Sequence, residues 1–398
     1  MRFDTIEALA NLQQDILDVA RDVDYEGYSK HDALNAPWLE ALASPSRVLR
    51  LGVTQMVMRS PVHVRPWLGV RTARNPKGLA LFARALLARH RVLRDEASGE
   101  QARGLLTWLA DHPSSGYEWP CWGYPYPWQD VGFFARRHFP NRVVTSFVVQ
   151  AMLDGYETLG EDRFLDVATR AVTFLLVAPK TLYEDAGHRC VSYVPDESVT
   201  WIVMDVPALA GAAAARVAAI REDDGVMVEA GRLVRYVVSK QTDYGAWYYA
   251  EPPSDSHITH DNYHTGFILD AILSYGQCAK SDEFANAYRR GLEFYRERLF
   301  ESDGAPRFMH DQKYPFDIHG AAQGIITFAL AERATGEGRS FSQRVLRWTI
   351  EHMYDSHTHW FHYQRRRLYG TRIRLLRWCQ AWMAWAIGCH TERCVDAP

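Results

Sequence analysis

Asp261-Asn-Tyr-His-Thr-Gly-Phe-Ile-Leu-Asp-Ala-Ile-Leu-Ser-Tyr-Gly276 opens on polar residues and then runs apolar on almost every side. Its apolar positions follow a helical period, and a helix apolar nearly all round has to be buried on all faces. Five other stretches share this build. They begin near Asn75 (NPKGLALFARALLARH), Asn141 (NRVVTSFVVQAMLDGY), Asp196 (DESVTWIVMDVPALAGAAAA), Asp317 (DIHGAAQGIITFALAE) and Arg372 (RIRLLRWCQAWMAWAIG). Successive starts lie 55 to 66 residues apart, the mark of a repeated structural unit.

Each of the first five is followed by a second helix that is amphipathic, as in Glu161–Val177, residues 225–240 and residues 282–300. A helix apolar all round belongs inside, and one with a charged face belongs outside. The sixth inner helix has no partner after it, and an N-terminal helix at about 5–21 is free to supply one. The pattern predicts an all-α chain, a single domain over residues 1–398, folded as an (α/α)6 barrel with inner and outer helix rings.

Composition narrows the function classes. The 398 residues carry a net charge of −3, so no global basic field is available for nucleic acid or an acidic membrane. No stretch of 18 apolar residues suggests a membrane span, and no apolar leader segment follows Met1. The six cysteines are scattered and form no CxxC pair, which fits a reduced, cytoplasmic setting. Thirteen Trp and twenty Tyr are more than a core requires, and many fall in loops.

Outer helices are followed by glycine-aromatic turns: Gly116-Tyr-Glu-Trp119, Gly245-Ala-Trp247, Gly304-Ala-Pro-Arg-Phe308 and a degenerate Thr358-His-Trp360. Glycine permits the tight turn and the ring pins it. The string Gly245-Ala-Trp247, a loop, and then His260-Asp-Asn-Tyr-His-Thr-Gly-Phe267 resembles the six-hairpin glycosidase-like superfamily. It is similar above all to uncharacterised proteins of bacterial polysaccharide gene clusters. The architectural resemblance spans about residues 70 to 390, and the motif itself only 245 to 267. It implies an (α/α)6 toroid that hydrolyses, eliminates or epimerises sugars, with an oligo- or polysaccharide as partner.

In such a ring the inner helices run parallel, so their amino ends share one mouth and favour anions there. Asp261 is placed as an N-cap, with His264 one turn on and His260 and Asn262 beside it. Tyr314, Asp317 and His319 repeat that theme at the next start. Asp261, His264, Asp317, His319 and Tyr314 are therefore the candidate acid–base groups. Asn141, Asp196 and Glu197 mark two further starts as candidate binding residues. Arg372 and Arg374 oppose the helix dipole at the sixth start, a local cost that a sugar carboxylate would offset through bidentate bonding. The run Arg365-Arg366-Arg367 reads as a solvated face.

The loop from Trp119 through Tyr124, Tyr126 and Trp128 offers aromatic faces for the C–H faces of sugar rings. No metal or cofactor is expected. His357, His359 and His362 lack a fourth ligand, and Cys379 and Cys389 lie too far apart along one helix to share a zinc. The expected activity is that of a carbohydrate-active enzyme on a substrate with acidic sugars. Hydrolysis through Asp261 and Asp317 ranks slightly ahead of elimination or epimerisation through His264, His319 or Tyr314. A non-catalytic glycan-binding or scaffold role is one alternative. A terpenoid cyclase is another, since Gln241 to Trp247 matches a turn of that class, but the only acidic cluster, Glu222-Asp223-Asp224, opens an outer helix.

Overall fold

Helices too apolar to face water on any side set the architecture. The computed structural model describes residues 5–178, 180–335 and 341–396. In chain order its helices are α1 (Ile6–Asp22), α2 (Pro37–Ala43), α3 (Arg47–Arg59), α4 (Pro76–Leu93), α5 (Glu96–Asp111), α6 (Arg142–Leu159) and α7 (Asp162–Val177). They continue with α8 (Asp205–Arg221), α9 (Asp224–Ser239), α10 (Asn262–Ala279), α11 (Ala285–Arg298), α12 (Ile318–Thr335), α13 (Phe341–Met353) and α14 (Trp382–Asp396), the last preceded by a π-helical turn at Leu376–Ala381.

The inner ring closes on itself. Helix α4 packs on α6, α6 on α8, α8 on α10, α10 on α12, α12 on α14, and α14 again on α4. Burial is continuous along these rods: every residue from Ile318 to Ala329 of α12 is buried, as is every residue from Arg142 to Val149 of α6. Helices α5, α7, α9, α11 and α13 form the outer ring, each on the inner helix before it. Helix α1 takes the sixth outer place against α14. Gln13 seals that seam by donating to the carbonyls of Ala85 and Ala384 at 3.3 and 3.0 Å. The fold is an all-α (α/α)6 toroid.

Two of the six inner starts differ from the sequence reading. The third inner helix begins at Asp205, nine residues after Asp196. Asp196 instead closes a local turn, accepting from the Ser198 N–H at 2.9 Å and hydroxyl at 2.7 Å, and Glu197 is exposed beside it. Pro207, fixed in φ and lacking an N–H, suits a helix's first turn and marks the true start. The sixth inner helix begins with the π turn at Leu376, not at Arg372. From Thr371 to Leu375 the chain is extended: Ile373 and Leu375 are buried while Arg372 and Arg374 are exposed, the alternation of a strand.

Short antiparallel ribbons trim the mouth where the inner helices start. Phe316–Asp317 pairs with Gln364–Arg365, which pairs with Gly370–Thr371. A roof of residues 23–75, including α2 and α3, folds over the same mouth. Its core is small (Ala36, Leu39 and Val70), and a buried ion pair braces it, Arg65 Nε to Asp32 Oδ1 at 2.7 Å.

The glycine-aromatic turns take the backbone form their glycines allow. Gly116, Gly245 and Gly304 have φ of +84°, +92° and +95°. A β-carbon on Gly245 would lie 2.6 Å from the Arg290 carbonyl oxygen, whereas one on Gly116 would meet nothing within 4 Å. Gly116→Ala is expected to cost about 1–2 kcal/mol of stability, the left-handed penalty alone. Gly245→Ala should cost more, because a backbone carbonyl must also shift. Urea midpoints for the two variants check the order, and equal losses would contradict it.

Candidate active site

The acids at the inner-helix starts meet the chamber in different ways. Asp261 sits at the N-cap of α10 but its side chain bonds no amide of the first turn; its Oδ2 lies 2.8 Å from His264 Nδ1. The spacing of three residues that puts both on one helix face therefore builds a dyad rather than a cap. Fixing the Nδ1 proton on Asp261 leaves His264 Nε2 for the chamber. Asp317 is braced by three hydrogen-bond donors. Its Oδ1 accepts from the His319 N–H at 2.9 Å and the Trp378 indole at 2.8 Å, and its Oδ2 accepts from the Gln364 amide at 2.8 Å.

His319 lies across from the dyad. It is buried, and neither ring nitrogen has a hydrogen-bond partner. Its ring stacks on Tyr263 at 4.3 Å with an interplanar angle of 10°, and meets Trp378 and Trp382 at 4.4 and 4.2 Å. His264 lies 4.2 Å from the same Tyr263 ring, tilted to it by 46°. Both histidines thus lie against one tyrosine ring.

Their environments push them apart in proton affinity. Burial alone would lower the His264 pKa, but the carboxylates of Asp261 and Asp205 reverse this and hold it above the ordinary 6.5. Burial drives His319 well below 6.5, and Lys77, Arg377 and Lys30 add to the effect. His264 thus keeps its proton to higher pH than a free imidazole and His319 gives its proton up at lower pH, a pairing suited to acid and base roles.

Several of these groups escaped the sequence reading. Asp205, the first residue of α8, is buried, and burial raises its carboxyl pKa despite His264 and Lys77 nearby. Lys77, in the first turn of α4, has its ammonium 3.9 Å from the Phe147 ring and 4.9 Å from Phe267. Burial holds its pKa well below 10.5. Arg377, buried within the π turn, lies 5.3 Å from the Tyr124 ring. A signal was present for each. Lys77 and Arg377 are cations opening apolar helices, against the dipole, and Asp205 is the acid heading the longest alanine-rich run.

Aromatic rings wall the chamber. Tyr124 stacks with Tyr126 at 5.5 Å and meets Trp128 edge-on at the same distance. Phe147, Phe267 and Trp382 pack against one another at 5.4 to 5.6 Å and plug the bore beneath Lys77. Lys30 and His31 of the roof reach in from above, Lys30 4.1 Å from the Trp378 ring and His31 6.3 Å from Trp128. Below these rings, at the carboxyl ends of the inner helices, a cavity of about 420 Å3 opens. Asp154 there joins Arg84 and Arg216, each at 2.6 Å, while Asp270 accepts from the Gln323 amide at 2.6 Å and burial pushes its carboxyl pKa up to about 7. The acid–base pair lies in the upper chamber.

Other expected site residues lie elsewhere. His260 is buried, but its Nδ1 lies 2.8 Å from the Trp247 carbonyl and its Nε2 2.9 Å from the Tyr244 hydroxyl, so it locks the turn. Asn262 donates to the Leu299 carbonyl and accepts from the Tyr295 hydroxyl, tying α10 to its outer helix. Tyr314 is 37% exposed and packs on Phe316. Asn141 caps α6 through the Val144 amide. Trp119 is half-buried and makes no ring contact with the aromatic wall. Asp196 and Glu197 stay in their turn, and Arg372 and Arg374 face outward. His359 binds Tyr354, and among the described residues no three His, Cys, Asp or Glu gather as a metal site.

No family model matches the chain, and no curated protein matches it. Solved structures do. A cellobiose 2-epimerase from Bacillus thermoamylovorans superposes with a TM-score of 0.64 at 12% identity, over 80% of this chain and 87% of that one. A GH76 α-mannanase from Bacteroides thetaiotaomicron gives 0.62 at 13%, over 80% and 86%. An unsaturated glucuronyl hydrolase specific for heparin gives 0.61 at 10%, over 96% and 97%. At these identities the likeness establishes the shared (α/α)6 toroid fold.

Proposed function

We propose that the upper chamber performs proton transfer at a carbon of a bound sugar, as an epimerase, isomerase or lyase acting next to a carbonyl or carboxylate. The observation that carries this reading is the pair of histidines that both contact the Tyr263 ring and have opposed proton affinities. His319, neutral and with both nitrogens unbonded, is the base. His264, charged through Asp261, is the acid. Lys77 and Arg377 stand where negative charge on an enolate oxygen would be stabilised. The wall of Tyr124 and Trp128 supplies stacking faces for the sugar ring. Similar folds are found in a cellobiose 2-epimerase, a D-mannose isomerase and a polysaccharide lyase, which supports a carbohydrate as substrate.

Hydrolysis is the second reading. Asp317, braced by three donors, and Asp261, engaged by His264, are poorly placed to share that work. Asp205, its pKa raised by burial, is the better acid for it.

Incubation in D2O with reducing disaccharides, mannose and uronate oligosaccharides separates the readings. Proton transfer writes deuterium into the substrate or product at the reacting carbon, or creates a C=C absorbance. New reducing ends with no carbon-bound deuterium would favour hydrolysis instead. His264→Gln and His319→Gln should each lower kcat by about 10²–10⁴-fold with folding intact.

The pH profile follows from the signs. Activity needs His319 neutral and His264 charged, so kcat/KM should be bell-shaped. Its acidic limb should lie below pH 6.5, where His319 takes up a proton, and its alkaline limb above 6.5, where His264 loses one. Asp261→Asn removes the anion that supports the imidazolium, so its alkaline limb should move to lower pH. A limb that stays in place would dissociate the dyad from the reaction.

A further inference from the structure

Two segments border the mouth and are rich in arginine and poor in acids. Residues 37–74 of the roof hold six arginines and one acid, Glu40, and the ribbon 364–374 holds five arginines and no acid. Arg65 and Arg74 are paired with Asp32 and Asp24. Among the described residues the other nine (Arg47, Arg50, Arg59, Arg71, Arg365, Arg366, Arg367, Arg372 and Arg374) have no carboxylate partner within 4.0 Å, in a chain of net charge −3. The two segments adjoin: Arg374 acts electrostatically on His63 of the roof, and Arg65 on Tyr363, the residue before the ribbon.

Large apolar side chains stand among these charges. Trp67 is 78% exposed, Val48 76% and Leu368 91%; Trp38, Leu42, Met56 and Tyr369 are exposed too. Val48, Gly52 and Met56 recur every four residues and line one open stripe of α3. The small core beneath the roof leaves this face unpaired.

We infer that the mouth face docks on an anionic lipid bilayer, its arginines on the headgroups and its tryptophans and aliphatics in the interfacial layer. Arginine for charge, tryptophan at the headgroup depth and aliphatic side chains below it are the chemistry of interfacial binding. Charge favours this occupant over a second copy of the chain, because a two-fold interface would set the same arginine-rich patch against itself. No described helix is long and apolar enough to cross a membrane, so the contact is superficial. The neutral average of the chain conceals this local field.

Co-sedimentation of the full chain with vesicles tests the inference and does not depend on catalysis. Binding is expected to vesicles of phosphatidylcholine with one-quarter phosphatidylglycerol, to be weak on phosphatidylcholine alone, and to fall when NaCl is raised. Arg366→Gln and Arg367→Gln should each lower the partition coefficient by about fivefold. A Trp38→Ser, Trp67→Ser, Leu368→Ser triple variant should abolish binding, with its melting transition verifying the fold. Absence of binding to the anionic vesicles would overturn the inference. So would a stable dimer in sedimentation velocity that these same substitutions dissociate.

Discussion

Six helix amino ends point into one small, covered volume. Each contributes roughly half a positive charge from its unbonded amides, and the surrounding aromatic walls keep water from screening them. Those dipoles partly offset the cost of burying Asp205, Asp261 and Asp317 at inner-helix starts, a cost that still raises the Asp205 carboxyl pKa. The chamber also holds Lys77, Arg377 and the roof's Lys30. Geometry sorts the two signs: the acids of α8 and α10 gather round His264, and the cations of α4, the π turn and the roof gather round His319. Burial lowers the proton affinity of both imidazoles, and the helix ends each one faces reverse that at His264 and deepen it at His319. Without the closed ring, neither charge set would be held in place.

Much of this was legible in the residues. A helix apolar on all sides, repeated six times and alternating with amphipathic ones, leaves few other ways to bury its surface than two concentric rings. The i, i+3 placement of Asp261 and His264 likewise sufficed to bring them together. Errors came where local chemistry competes with the pattern. Asp196, an acid followed closely by an apolar run, looks like a cap, yet a serine two residues on satisfies it in a turn. The helix waits for Asp205 and Pro207. Arg372 and Arg374 sit at strand spacing, and the third arginine of that series, Arg377, is the one that turns inward once the π turn begins.

Polar residues around the motif illustrate a second limit. His260 and Asn262 flank Asp261 in sequence but bond backward to the turn and to the outer helix. Adjacent residues on a cap point in different directions, so a run of polar letters overstates the number that share a cavity. Lys30 and His31 fail in the opposite sense. They lie far from any inner-helix start along the chain and arrive over the mouth only because Asp32 and Arg65 anchor their loop.

The plug of Phe147, Phe267 and Trp382 turns the toroid from a pipe into a blind well. Whatever enters at the top finds no exit at the bottom, so the released molecule must retrace its path past Lys30 and His31. The loop that carries those two residues is held by the buried Asp32–Arg65 pair, so arrival and departure share one guarded doorway.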